Sequence, residues 1–188
     1  MEFRRKMETP WFAGTPPVES LRVLTSLLAD PVRRHGKPKC MLVLDVKRAH
    51  FHATATRRVY VELPPEDALA HRKEVVGLLQ MSMYGTLDAA FHWEAAYASA
   101  LTEMGFTRGT ASGNHYVDEA REIRGLVHGD DFVFVGFEDD VVALKAEMTR
   151  RYPCVATMVG PDAGHEKVVK VLGREVRVTA SGAEIEWM

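Results

Sequence analysis

The chain has 188 residues, 46% hydrophobic and 27% charged, ordinary usage for a globular domain with a core of its own. No apolar run approaches the roughly 18 residues that span a bilayer. The charged start from Met1 to Phe12 also lacks the apolar stretch of a signal peptide, so no membrane partner is expected and an intracellular setting, cytoplasmic or nuclear, is the default. Net charge is −2 but uneven: residues 1–73 hold 14 Lys or Arg against 8 Asp or Glu, and residues 74–188 hold 10 against 18. A basic half of this kind suits phosphates, and suits a solvated surface as well. Cys40 and Cys154 lie far apart in no metal-ligand spacing and read as small buried residues.

In chain order, residues 1–17 are irregular, broken by Pro10, Gly14, Pro16 and Pro17. Leu21, Val23, Leu24, Leu27 and Leu28 predict a helix over Val18–Ala29. Arg33–Lys39 is a basic connector, and Met41–Val46 is an apolar run fit for a strand buried on both faces. Val59–Leu63 and Leu78–Met83 read as further strands. Asp88–Met104 is the clearest helix, with Trp93, Tyr97, Ala100 and Leu101 at helical spacing and Gly105 as its stop. Strands follow at His115–Val117, Ile123–Val127 and Phe132–Val135, then a helix over Glu138–Arg151, and a terminal meander or hairpin over Val168–Val178 and Ala183–Trp187 with Ser181-Gly182 as the turn. Helices mixed with antiparallel hairpins, without a βαβ repeat, predict an α+β domain: a sheet with helices packed on one face.

Three aspartates stand out. Asp45 ends the run Met-Leu-Val-Leu-Asp-Val, and Asp130 and Asp131 sit between two apolar segments. Acids in such segments are costly unless paired, and a metal ion is one partner. Magnesium takes oxygen ligands together with substrate phosphates, and two such ions can clamp the attacking and leaving oxygens of a phosphoryl transfer. Gly129-Asp130-Asp131 alone also fits a plain turn, because Asp tolerates turn backbone.

Order and context add to this. Asp45-Val46-Lys47-Arg48-Ala49-His50 is followed by Val59-Tyr60-Val61-Glu62-Leu63-Pro64-Pro65. Then come Ser82-Met83-Tyr84-Gly85-Thr86-Leu87-Asp88-Ala89-Ala90-Phe91-His92-Trp93, Gly105-Phe106, His128-Gly129-Asp130-Asp131 and Leu172-Gly173. From Thr15 onward this series resembles the reverse transcriptase of copia-type retrotransposons. In that family the segments read Asp-Val-Lys-x-Ala-Phe, Val-Tyr-x-x-x-Pro-Pro, Ser-Leu-Tyr-Gly-Leu-Lys-Gln-Ala-Pro-x-x-Trp, Gly-Phe, Tyr-Val-Asp-Asp and Leu-Gly.

The resemblance implies a partial palm-like domain over residues 15–188 after an irregular segment 1–14, with incomplete fingers and no full thumb. It implies that Asp45, Asp130 and Asp131 are the catalytic, metal-binding triad for two magnesium ions. A primer 3′-hydroxyl would attack the α-phosphate of a dNTP. Val46, His50 and Asp88 fall at nucleotide-binding positions. Lys47, Arg48, Arg57 and Arg58 are candidates for the backbone of an RNA or DNA template-primer, although a solvated face explains them equally. The fingers, thumb and RNase H regions of a parent Pol polyprotein are expected as missing partners.

Among the departures from the family, three bear on the site: His50 stands for the aromatic residue beside the sugar, Asp88 for the Gln at the nucleotide, and His128-Gly129 for Tyr-Val, where Gly is expected to loosen the turn. Two alternatives stay open, a noncatalytic, decayed or domesticated remnant that at most binds nucleic acid, and a generic metal-dependent nucleotidyl enzyme. His50 and His52 share spacing but lack further zinc ligands nearby. His128 reads as a polar strand residue or a group titrating beside the acids. Trp93 and Tyr97 read as core rather than base-stacking platforms, and Asp139 and Asp140 as acids favoured at a helix start.

Overall fold

The structure is a computed structural model and describes residues 16–187; the expected irregular segment 1–14 lies outside the described residues. The chain divides into two compact bodies, one of residues 48–97 and one of residues 16–47 with 98–187.

The second body is built on a six-stranded antiparallel sheet. Its strands are β1 (Lys39–Val46), β4 (Thr107–Arg108), β5 (His115–Asp118), β6 (Ile123–His128), β7 (Asp131–Phe137) and β8 (Cys154–Val159), in the order β4-β5-β6-β7-β1-β8. The apolar run of β1 lies between β7 and β8, and period-two alternation sorts its side chains. Met41 and Val43 join Val133, Val135 and Leu126 on one face. Helix α1 (Val18–Leu28) closes that face with Leu21, Leu24 and Leu28. The three-stranded sheet of β9 (Val168–Val171), β10 (Arg174–Thr179) and β11 (Gly182–Trp187) adds Val171 and Val176 to the same core. Leu42 and Leu44, opposite Phe134 and Phe132, point to the other face.

Helix α3 (Glu138–Arg151) covers that second face with Val141, Leu144 and Met148; a Cβ on Gly136 of β7 would meet Val141 Cγ2 at 3.3 Å. The expected single helical layer is therefore corrected: α1 and α3 lie on opposite faces, because β1 and β7 are apolar on both sides and each side needs a cover. Gly125 of β6, opposite Phe134, has a packing reason to be glycine, since a Cβ there would lie 2.5 Å from the Phe134 ring.

The body of residues 48–97 has little regular structure. It opens with Arg48 in the left-handed region at φ 54°, followed by a 3-10 turn at Ala49–His52. The strands β2 (Tyr60–Val61) and β3 (Gly77–Leu78) pair with each other. Helix α2 (Ala89–Glu103) begins here and ends in the other body. The strands expected over Val59–Leu63 and Leu78–Met83 shrink to two residues each; beyond β3 only a single bridge, Met81 to Thr54, continues the pairing. Ser82 is instead drawn into a buried hydrogen bond with His92.

The helices fall where periodicity puts them, with ends shifted by a residue or two at most. β8 and β4 were not expected. The terminal run Val168–Val178 is two strands, broken at Leu172-Gly173, whose φ values of 51° and 70° make a primed two-residue turn. Among the described residues no helix is long and apolar enough to cross a membrane.

Candidate active site

Asp45 sits where β1 turns from a buried run to an exposed position, one residue before its end. The register places it directly opposite Asp131, the first residue of β7, and places Asp131 opposite His128, the last residue of β6. Directly opposed residues in antiparallel strands point to the same face. Asp45, Asp131 and His128 therefore share the face that carries Met41, Val43 and Val133 deeper in the core. Asp130 lies in the two-residue turn between β6 and β7, and its carbonyl accepts a 3.0 Å hydrogen bond from the Val46 amide. That bond ties the tip of the hairpin to β1.

The turn corrects one expectation. Gly129 has φ 63° while Asp130 is not in the positive-φ region, the pattern of a hairpin turn with glycine at its first corner. Gly129 does not loosen the hairpin; it supplies the conformation that lets Asp130 and Asp131 follow without strain.

The electrostatics are those of crowded like charge. Burial, then Asp130, then Asp45, pushes the Asp131 carboxyl above the ordinary carboxylate range, and His128 pulls it back only slightly. Asp131 is half-buried, whereas Asp45 and Asp130 are exposed. Among the described residues none of the three carboxylates forms an ion pair. Carboxylates facing each other without a cation destabilise the sheet, and a divalent cation bound by oxygen donors relieves that repulsion. The oxygen donors suit magnesium in kind, and the three carboxylates are not among the groups of described residues whose ligand atoms all lie within 4.8 Å of one another.

Beside Asp131 opens a cavity of about 320 Å³ lined by Leu21, His128, Leu172, Arg174 and Trp187 as well. The guanidinium of Arg174, buried, stacks 3.3 Å from the centroid of the exposed Trp187 ring, its register partner across β10 and β11. His128 Nδ1 is buried without a hydrogen-bond partner. Motif reading missed Arg174 and Trp187, because no spacing links them to the carboxylates; only the small sheet brings them there.

The remaining sequence-named residues divide between the bodies. Val46 and Lys47 belong with the triad; Val46 is buried, and Lys47 is exposed with its amide bonded to Pro153 O at 2.9 Å. Arg48, His50, Arg57, Arg58 and Asp88 belong to the other body. There, Asp88 is buried and paired two ways with Arg57, Nε to Oδ2 at 2.6 Å and Nη2 to Oδ1 at 3.3 Å. The guanidinium holds the Asp88 carboxyl below the usual range. Asp88 and Arg57, expected at nucleotide and template, hold each other. His92 sits alongside, between Thr56 Oγ1 at 2.7 Å and Ser82 Oγ at 3.0 Å. The His50 ring stands edge-on to Tyr84 with centroids 4.2 Å apart. Trp93 and Tyr97 are buried, as their helical spacing implies.

The strand pair β1 and β7 thus bears opposed aspartates, and a third lies in the turn from β6 to β7. Residues 5–178 match the family described as reverse transcriptase (RNA-dependent DNA polymerase), and the chain belongs to that family. It is also similar to the retrovirus-related Pol polyprotein from transposon TNT 1-94 of Nicotiana tabacum, with 26% identity over 113 residues. The match covers 58% of this chain and 8% of the polyprotein's own length, and it bears out the retrotransposon resemblance read from the motifs. No solved structure matches the chain.

Proposed function

We propose that the six-stranded sheet with its two covers is the palm of an RNA-directed DNA polymerase, and that Asp45, Asp130 and Asp131 form its catalytic centre for adding a dNTP to a primer 3′-hydroxyl. The observation that carries this reading is the register pairing Asp45 with Asp131 across β1 and β7, with Asp130 tied to the same edge through Val46. Two magnesium ions, when bound, supply charge neutralisation and orientation at the attacking and leaving oxygens. The chain's own part is positioning. The hairpin holds Asp130 and Asp131 in fixed register against Asp45, and the raised proton affinity of Asp131 keeps its negative charge costly until a cation arrives. In this reading Lys47, exposed two residues after Asp45, meets a template-primer phosphate. The remaining finger, thumb and RNase H functions belong to other parts of a Pol polyprotein in this reading.

One observation favours the alternative of a noncatalytic remnant. Asp88, at the position where the family carries a nucleotide-contacting Gln, is buried against Arg57 instead of being free for a triphosphate.

Primer extension on a primed RNA template, with magnesium titration followed by calorimetry, separates the two. Extension and magnesium uptake in the chain, both lost in Asp130→Asn, support the polymerase. An absence of extension, with magnesium heats identical in chain and variant, overturns it in favour of the remnant.

A further inference from the structure

At the end of β1 away from the carboxylates, three side chains from distant parts of the sequence converge: Cys40 near the start of β1, Glu138 at the first position of α3, and His165 in the loop from β8 to β9. One ligand atom from each lies within 4.8 Å of the others. Cys40 Sγ is 3.6 Å from His165 Nε2 and 3.7 Å from Nδ1, and Nε2 is 3.8 Å from Glu138 Oε2. In a tetrahedral zinc site, bond lengths of about 2.3 Å to sulfur and about 2.0–2.1 Å to nitrogen put those two ligands roughly 3.5 Å apart. The observed 3.6 Å between Cys40 Sγ and His165 Nε2 is close to that edge.

The surroundings fit the same reading. Cys40 is fully buried, and the His165 and Glu138 side chains are only 9% and 21% exposed. Gly160 lies against the cluster so tightly that a Cβ would come within 2.7 Å of His165 Nδ1 and 3.0 Å of Cys40 Sγ. The loop bearing His165 is fixed from three sides. Lys167 Nζ donates to the carbonyls of Gly160, Pro161 and Asp162 at 2.7–2.8 Å, the Glu166 amide bonds Met158 O at 2.9 Å, and Arg33 pairs with Asp162. Glu138 is fixed as well, its amide bonded to Pro38 O at 3.0 Å just before β1. Burial, together with Glu138 and Asp162, raises the Cys40 thiol to about 12, outweighing the nearby Arg33 and Lys167. Those carboxylates disfavour a bare thiolate and favour a cation, and a bound metal deprotonates the thiol outright.

We propose that Cys40, Glu138 and His165 form a binding site for a divalent, thiolate-accepting transition metal, zinc by its sulfur, nitrogen and carboxylate donors, with a water completing four-coordination. The site staples the β8–β9 loop to the junction of β1 and α3. It is independent of the polymerase reading, since magnesium prefers all-oxygen sites and none of the triad takes part.

The test uses cobalt(II) and zinc on the full chain after chelator stripping. Cobalt is expected to give intense four-coordinate ligand-field bands and a thiolate charge-transfer band at one equivalent, both erased by one equivalent of zinc. Cys40→Ser is expected to lose the charge-transfer band. In Cys40→Ser and His165→Ala, zinc affinity in competition with a chromophoric chelator should fall by more than the roughly 10–100-fold that removal of an outer-shell partner costs. Cys154→Ser and Asp130→Asn should leave the spectrum unchanged, which separates this site from the free thiol and from the carboxylates. His165→Ala lies on a loop and keeps the test alive where Cys40→Ser fails to fold. A pale six-coordinate cobalt spectrum, or a charge-transfer band that follows Cys154 rather than Cys40, overturns the proposal and leaves a thiol–imidazole hydrogen bond.

Discussion

The two bodies keep order by different means, and the contrast is clearest in how each treats a carboxylate shielded from water. In residues 48–97, which hold only two-residue strands and turns, Asp88 is neutralised by Arg57 and its carboxyl is held below the usual range. In the sheet body, Asp131 faces Asp45 and Asp130 without a cation among the described residues, and its carboxyl is pushed above that range. A chain that can place an arginine against one buried acid and leaves another among like charges has a structural device at the first and an unmet demand at the second. Under the proposed polymerase function the unneutralised site is the working one, because stability alone would have paired it.

The largest expected effects test whether the sheet body is the better-packed of the two. Phe134, fully buried opposite Gly125, fills both its own site and the space a side chain would take on β6. Phe134→Ala should lower unfolding free energy by about 3–5 kcal/mol in urea titrations. Leu78→Ala in β3, at a side chain 44% exposed, should cost under about 0.5 kcal/mol. Amide exchange should rank the same way, slowest in β1, β6 and β7 and fastest across residues 62–76, which form turns and loops. Equal losses from the two substitutions would break the comparison.

How much of this was legible in the sequence depends on whether the pattern was local. The helices were readable because Leu21, Leu24 and Leu28, or Trp93, Tyr97 and Leu101, repeat at helical spacing. β1 was readable because its run is apolar throughout. β8 was not: Cys154–Val159 mixes exposed, half-buried and buried positions without a regular alternation, and its place beside β1 comes from long-range pairing. The expected helical layer failed for a related reason, since a strand buried on both faces says that covers exist without saying which ones. The three aspartates proposed as the catalytic centre stood out through apolar context and motif order. The pairing of Asp88 with Arg57 and the meeting of Cys40, Glu138 and His165 did not, because partners 31, 98 and 125 residues apart leave no spacing to read.

A smaller effect probes the neutralised side of the comparison. Asp88→Asn removes the charge from a buried pair whose arginine is itself 48% exposed, so solvent screening tempers the loss to about 1 kcal/mol at neutral pH. The folded-state value of Asp88 is depressed, so its contribution is complete above the ordinary carboxylate range and is lost as pH falls through the folded value. Thermal melts of parent and variant should differ at pH 7 and converge in acid, below the unperturbed value of 3.8. A constant difference across that range would mean the pair is held by packing, not charge.

The smallest effect has the opposite sign. Asp131→Asn removes one of the facing charges, so the metal-free chain should gain roughly 0.5–1 kcal/mol at neutral pH, the size of a cross-strand pair term. Because the folded value of Asp131 is raised, its ionisation penalty is absent below 3.8, grows as pH rises through the folded value, and is complete above it. The variant's advantage should therefore appear on going from acid to neutral pH, the mirror image of Asp88→Asn. Magnesium supplies the discriminating arm: if the carboxylates bind it, millimolar magnesium should raise the parent's melting temperature and erase the variant's advantage, since a ligand that binds only the folded state stabilises it by mass action. A variant that melts below the parent at every pH would mean that Asp131 is held by favourable contacts after all. The contrast with Asp88, and the case for the carboxylates as a cation site, would then lose their physical basis.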